Sequence, residues 1–250
     1  MLGGDIGCSS LPPHYPDWLT CMNSGTSIAS GVGQALVETT SDRGRRPRVV
    51  SLVGDSTLFH SGLQTIIDCA RRDSDQICFV LDNSWTAMTG HQSTPGTPRD
   101  LKGDRIEGAV DIPALLGAAG VRRLFTVDPL RVSRMRRLMM RLLEEPGFSC
   151  VVVRRECKLQ VRRRGAAARW TGVFGVVEER CRRCNRCYSV LTCPAIDKLE
   201  NGQIVIDPDL CGSCSLCHQT CPNGAIVQVR VRAAEAGPRR GRRGGEGEPP

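Results

Sequence analysis

Aromatic side chains are scarce in this 250-residue chain, at 4%, so there are few platforms on which unpaired bases could stack. Lysine is scarcer still, confined to Lys102, Lys158 and Lys198, and the net charge of +8 rests almost wholly on arginine. Those arginines are scattered over linkers and helix faces rather than gathered in one stripe. The expectation is therefore no nucleic-acid partner, but a solvated surface or an acidic protein partner. No apolar run approaches the roughly 18 residues of a membrane span, so no membrane association is expected either. The opening Met1-Leu2-Gly3-Gly4-Asp5 has neither the basic nor the apolar region of a secretory signal. A cytoplasmic protein is expected, with its 14 cysteines serving as thiols or metal ligands rather than disulfides.

What is present reads as two domains. Residues 1–157 alternate short β-type runs with amphipathic stretches, the pattern of an α/β fold with a parallel sheet covered by helices. Strands are expected at Arg48 to Val53, Gln76 to Leu81, Val121 to Val127 and Phe148 to Val153, all rich in β-branched or bulky apolar residues. Ser24 to Glu38 and Leu58 to Arg72 read as crossover helices, the second with Leu63, Ile66, Ile67 and Ala70 on one face. Asp111 and Asp128, each shortly before a proline, read as N-caps of helices near 112–119 and 129–144. In the last of these, Met135, Leu138, Met139 and Leu142 are the expected buried face. Residues 158–172 lack a strand pattern and read as a linker, 173–231 as a small α+β domain, and 232–250 as a disordered tail.

The small domain carries the sharpest signal. Cys181, Cys184, Cys187 and Cys193-Pro194 are followed by Cys211, Cys214, Cys217 and Cys221-Pro222, the spacing that binds two [4Fe-4S] clusters. The tight loop bearing three thiolates wraps three irons of a cubane, and the Cys before Pro serves the other cluster. The expected sets are therefore crossed: Cys181, Cys184, Cys187 and Cys221 for one cluster, and Cys211, Cys214, Cys217 and Cys193 for the other. Zinc also uses CxxC pairs, but the third Cys in each loop and the two Cys-Pro endings argue against it. Ala195-Ile196 and Ala225-Ile226 repeat after each ending, a sign of internal duplication. The first motif has five residues between Cys187 and Cys193 where the second has three between Cys217 and Cys221. Arg182, Arg183 and Arg186 lie in the first loop, where positive charge favours a reduced cluster and could attract an acidic carrier; incidental surface arginines are the plain alternative.

A second constellation, Gly54-Asp55-Ser56 and Asp82-Asn83, follows two expected strands. Asp55 at the carboxyl end of a parallel strand can hold a hard cation while the amides after it face a phosphate, and Asn83 reaches the same edge. Taken alone, Asp and Asn at strand ends are also ordinary turn residues. The spacing, however, resembles the thiamin diphosphate signature, with Ser56 and Asp82 at positions where that signature has Gly and Asn. Together with Gly4-Asp5-Ile6-Gly7-Cys8, Thr20 to Gly25, Asp55 to Gly62 and Leu81 to Gln92, it resembles the 2-oxoacid:ferredoxin oxidoreductases. The order of a thiamin domain followed by a ferredoxin domain is that of the alpha subunit of the indolepyruvate type.

That resemblance implies thiamin diphosphate, Mg²⁺ and two [4Fe-4S] clusters as cofactors. Asp55, Asn83 and the backbone carbonyl of Trp85 would ligand Mg²⁺. Gly54, Ser56 and Thr57 would approach the diphosphate. Gly7 and Cys8 would lie beside the aminopyrimidine and the reacting carbon, and Thr89 to Gln92, including His91, would border the substrate pocket. Cys8 and His91 are the implied catalytic candidates, with a buried thiol and a structural histidine, like His60, as the alternatives. The implied reaction is oxidative decarboxylation of a 2-oxo acid, with coenzyme A taking the acyl group and ferredoxin the electrons. The resemblance also implies a beta subunit and an N-terminal domain or polypeptide supplying a thiamin-activating glutamate. With the chain starting at what reads as the loop Gly3 to Cys8, the expectation is a C-terminal portion that works with another polypeptide. An iron-sulfur electron-transfer module with a non-catalytic thiamin site is the other reading.

Overall fold

The computed structural model describes residues 1–8, 16–42, 44–164 and 172–229. The chain divides into two compact units, Met1–Ala168 and Arg169–Pro250. The expected tail lies outside the described residues.

In the first unit, β1 (Leu2–Asp5), β2 (Trp18–Thr20), α1 (Ser24–Thr39) and β3 (Val49–Gly54) are followed by a helical stretch in three parts. These are α2 (Asp55–Thr57), a π-helical turn at Leu58–Gly62 and α3 (Leu63–Arg72). Next come β4 (Gln76–Asp82), a small ribbon of β5 (Trp85–Thr86) and β6 (Gln92–Ser93), α4 (Ile112–Ala118), β7 (Leu124–Val127), α5 (Val132–Glu144), β8 (Ser149–Arg154) and α6 (Lys158–Arg163). Six strands form one sheet in the order β2-β1-β3-β4-β8-β7, and every pairing in it is parallel.

Alternation along β4 sends Cys78 and Val80 into one apolar cluster with Leu58, Ile66, Leu116, Cys150 and Val152. Ile77 and Phe79 enter a second with Val127, Leu142 and Val151. A strand covered on both faces must be apolar throughout, which is why β4 and β8 are legible as continuous runs. Burying a side chain such as Ile66 fully contributes on the order of 2 kcal/mol.

Several expectations change. The segment from Gly3 is not a loop: Leu2–Asp5 is a strand held between β2 and β3. Its glycines are required by crowding, since a Cβ on Gly3 would collide with the Trp18 indole. Val121 precedes the strand rather than opening it, and is buried in the first cluster as a loop residue. Asp111 does cap α4, accepting from the Ala114 amide at 3.1 Å. Asp128 does not cap α5: it accepts from Leu130 N in a turn and pairs with Arg155 at 2.6 Å, so the helix starts at Val132. Met139 and Ile67 are 40% and 44% exposed, because each sits about 100° around its helix from the neighbour that faces the core, half-buried Leu138 and buried Ile66. The first residues of the expected linker form α6, anchored by buried Gln160 and by the Arg164–Glu156 ion pair.

The second unit has β9 (Val173–Val176), a 3₁₀ turn at Glu178–Arg180, α7 (Arg186–Leu191), β10 (Ile196–Lys198), β11 (Ile204–Ile206), α8 (Leu216–Thr220) and β12 (Ile226–Val229). β10 pairs antiparallel with β11, and β12 with β9. Its core is small: Phe174, Ile196, Ile204, Cys217 and Ile226, flanked by four more cysteines.

Candidate functional site: a sheet-edge carboxylate and a duplicated cysteine cradle

The strand order of the first unit reverses between β1 and β3, which are neighbours whose onward connections run to opposite sides. In open parallel sheets the ligand crevice lies outside the carboxyl ends of the strands at such a point. Here β1 delivers Gly7 and Cys8, β3 delivers Gly54 and Asp55, β4 delivers Asp82 and Asn83, and β8 delivers Glu156 and Cys157, all to one edge.

Asp55 is 2% exposed. Its Oδ1 accepts from the Ser56 amide at 2.8 Å, while its Oδ2 is buried with no hydrogen-bond partner. Burial, reinforced by the charge of Asp82, raises its carboxyl to about 7 from the usual 3.8. An ionised carboxylate with an orphaned, buried oxygen needs a cation, so the residue fits the Mg²⁺ role in its chemistry. The two signature halves are also tied together, since Ser56 Oγ lies 2.8 Å from Thr86 Oγ1. Asn83 Oδ1 accepts from Trp85 N at 2.9 Å, folding its loop, and Trp85, 2% exposed, donates Nε1–H to Glu156 at 3.2 Å. Thr57 is buried in α2 directly after Ser56. A Cβ on Gly54 would meet nothing within 4 Å, so open space lies where a diphosphate would approach.

Asp82, at the position of the signature's first Asn, is engaged elsewhere: Oδ2 accepts from Arg154 Nε at 2.6 Å. Cys8 is exposed, and its thiol is raised by partial burial and then by the charges of Cys157 and Asp55, so these three groups are electrostatic neighbours. His91 is buried, in the left-handed region at φ 64. Arg163 Nη1 lies 3.1 Å from its Nδ1 and Cys157 Sγ lies 3.5 Å from its Nε2. An arginine can only donate, so Nδ1 accepts and Nε2 carries the proton facing the sulfur. Burial, then Arg163, lowers the pKa of this imidazole and keeps it neutral. His60 is exposed on the π-helical turn. Cys157, Arg163 and Glu156 were missed in the sequence. The available signal for Glu156 and Cys157 was their place just after the strand Ser149–Arg154, the rule that had singled out Asp55 and Asn83; Arg163, at the end of α6, had none.

In the second unit the duplication is written into the backbone. Arg183 and Asn185 in the first cysteine loop have φ of 48 and 58, and Ser213 and Ser215, at the equivalent places in the second, have 53 and 63. Alternating right- and left-handed residues turn successive N–H groups inward, a nest that suits an anionic iron-sulfur cluster. Cys181, Cys184, Cys187 and Cys221 line one small cavity. Cys187 is raised by burial, with Cys221 and Cys181 adding to it. Cys217 is pushed up to about 11 by burial, with Cys214, Cys211 and Cys193 as its sulfur neighbours. Each loop thus stands beside the Cys-Pro cysteine of the other motif, Cys187 near Cys221 and Cys217 near Cys193, a donor set that fits a cluster. The unequal motif spacing is compensated locally: the first has the longer helix, α7, whereas the second has Asn223-Gly224 between its Cys-Pro and Ala225.

Residues 5–153 match the family described as thiamine pyrophosphate enzyme, C-terminal TPP binding domain, and residues 204–227 match the 4Fe-4S binding domain. Among curated proteins the chain is similar to indolepyruvate oxidoreductase subunit IorA of Methanothermobacter marburgensis, 36% identical over 226 residues, covering 89% of the chain and 34% of that protein. Pyruvate synthase subunit PorD of Methanocaldococcus jannaschii is 44% identical over 54 residues, 21% of the chain and 60% of that protein. A solved 2-oxoglutarate:ferredoxin oxidoreductase from Magnetococcus marinus shares the fold at TM-score 0.51 and 19% identity, over 62% of this chain and 54% of that one. The chain thus spans about a third of the length of the IorA relatives. With a buried carboxylate at the switch point of its sheet and a family match across that sheet, the chain belongs to the thiamine pyrophosphate enzymes, as a C-terminal TPP-binding domain followed by a 4Fe-4S binding domain.

Proposed function

We propose that the chain is the cofactor-binding portion of a 2-oxoacid:ferredoxin oxidoreductase of the indolepyruvate type. It acts on an aryl 2-oxo acid, forms the acyl-CoA and CO₂, and passes electrons through two [4Fe-4S] clusters to a ferredoxin. The observation that carries this reading is the buried Asp55 carboxylate, orphaned at Oδ2, in the same chain as a duplicated cysteine cradle.

Bound thiamin diphosphate supplies an electron sink for loss of CO₂ from the 2-oxo acid. The residues of the chain do the rest by holding and excluding. Asp55 and Asn83, with the Trp85 carbonyl, hold Mg²⁺; Gly54, Ser56 and Thr57 accommodate the diphosphate. Gly7 and Cys8 border the reacting carbon. His91, neutral and clamped by Arg163, is a fixed dipole beside the Cys157 thiol rather than a mobile base. A further domain or polypeptide supplies the thiamin-activating glutamate, a beta subunit joins the assembly, and coenzyme A enters as acyl acceptor. The four-cysteine sets Cys181, Cys184, Cys187, Cys221 and Cys211, Cys214, Cys217, Cys193 each hold one cluster.

The test is anaerobic reconstitution with iron and sulfide, followed by addition of Mg²⁺, thiamin diphosphate, coenzyme A, the partner polypeptide and indolepyruvate. About eight irons per chain and indolepyruvate-dependent reduction of a ferredoxin are expected. Intact clusters without Mg²⁺-dependent thiamin diphosphate binding in that assembly would leave the electron-transfer module as the better reading.

A further inference from the structure

The two cysteine loops share a backbone but not an environment. Residues 178–187 carry Glu178 and Glu179 against Arg180, Arg182, Arg183 and Arg186, a net charge of +2, whereas the equivalent 208–217 carry only Asp209, a net of −1. Exposure differs in the same sense. Cys184 is exposed where its counterpart Cys214 is half-buried, and Cys187 is half-buried where Cys217 is buried. Arg182 and Arg186 are exposed, as are Tyr188 and Val190 on α7, at 44% and 54%. Arg183 is partly occupied, donating to the Asn201 carbonyl at 3.1 Å and facing Glu178.

A cluster becomes more negative on reduction, so neighbouring cations and solvent favour its reduced state, while burial and a carboxylate oppose it. The set built on Cys211, Cys214 and Cys217 therefore has the lower potential, and the set built on Cys181, Cys184 and Cys187 the higher. We propose that the relay runs from the second set to the first, and that the exposed Arg182, Cys184 and Arg186, with Val190 one helical turn from Arg186 on α7, form its exit, docking an acidic electron-carrier protein. The charge and the apolar contact suit such a partner together: cations steer it and an aliphatic side chain gives it dry area. Each electron that leaves reduces the carrier by one and returns the first cluster to its oxidised state, with no bond made or broken. The supply is the 2-oxo acid oxidation proposed above, and the inference rests on that reading insofar as both sets hold clusters.

The experiment uses the full chain, reconstituted anaerobically, with an acidic [4Fe-4S] ferredoxin as probe. Binding is measured at low and high salt for the wild-type chain, for R182S/R186S and for R134S/R137S, which removes the same charge from exposed positions of α5. The wild-type chain is expected to bind the probe with a salt-dependent affinity. R182S/R186S should bind about tenfold more weakly at low salt, with a flatter salt dependence, and R134S/R137S should bind like the wild type. An EPR-monitored redox titration supplies the second readout: R182S/R186S should lower the potential of the cluster whose signal C184S perturbs, and that cluster should have the higher potential in the wild type. Unchanged binding by R182S/R186S, equal weakening by R134S/R137S, or a lower wild-type potential for the C184S-sensitive cluster each overturns the proposal while leaving the function reading standing. Failure of the chain to take up two clusters overturns both.

Discussion

Asp55 is more costly to the empty fold when ionised than when protonated, and its pH dependence follows. The ordinary carboxyl titrates near 3.8 and the folded one near 7, so between these values the folded chain holds a proton that the unfolded chain has lost. Stability of the ligand-free chain should therefore fall as pH rises from about 4 to about 7 and then level off. Asp55→Asn removes that slope and is expected to stabilise the ligand-free chain at pH 8 by ~2 kcal/mol, the usual scale for a buried unpaired polar group, while abolishing Mg²⁺-dependent thiamin diphosphate binding. Thermal melts across pH together with calorimetric titration check both halves; a variant that loses the pH slope but still binds Mg²⁺ and cofactor would remove Asp55 from the metal site. Wild-type Mg²⁺ affinity should weaken below pH 7, because the metal must displace the proton. The place of Asp55 and Asn83 at the sheet edge was legible because each directly follows a readable strand. The His91–Cys157 contact was not, since it joins residues 66 apart in sequence through a left-handed backbone that no local pattern announces.

At the scale of elements, the central strands were legible because burial on both faces demands unbroken apolar runs, as in Ile77 to Leu81 and Cys150 to Val153. β1 was not, because Leu2-Gly3-Gly4-Asp5 has poor intrinsic β-propensity and owes its conformation to the strands on both sides. The π-helical turn before α3 was equally silent. Close approach explains Gly25 in α1, whose Cβ would stand 2.9 Å from the Gly4 carbonyl carbon. Gly25→Ala should thus destabilise the first unit by roughly 1–3 kcal/mol, readable in a denaturant titration; a neutral result would mean that α1 can shift. The crossed cysteine sets give a sharper element-level test. If Cys193 serves with the second loop, C193A/C214A should retain about four irons per chain and C193A/C184A should lose both clusters. The reverse pattern, with iron kept in C193A/C184A and lost in C193A/C214A, would sink the crossing.

At the scale of the molecule, the two units differ in what holds them together. The first buries two apolar clusters against a six-stranded sheet. Among the described residues the second has two paired ribbons, two helices of six and five residues, and one apolar cluster of five buried residues, one of them Cys217. Helices that short are not stable by themselves, and a domain of this size with so small a core requires a staple. Four non-glycine residues in left-handed conformations in its two cysteine loops add strain of roughly 1 kcal/mol each. Ligation of the proposed clusters would be large enough to offset both. Differential scanning calorimetry of the reconstituted chain should therefore show two transitions. Iron chelation or exposure to air should abolish the one belonging to the second unit and shift the first by no more than a few degrees. Far-UV circular dichroism should lose only the share due to α7, α8 and their ribbons, and hydrogen exchange should become fast across 173–229 while β3, β4 and β8 stay protected. Retained protection of β9 and β12 in the iron-free chain would show that the five-residue core suffices, and that the clusters are guests of this unit rather than its scaffold.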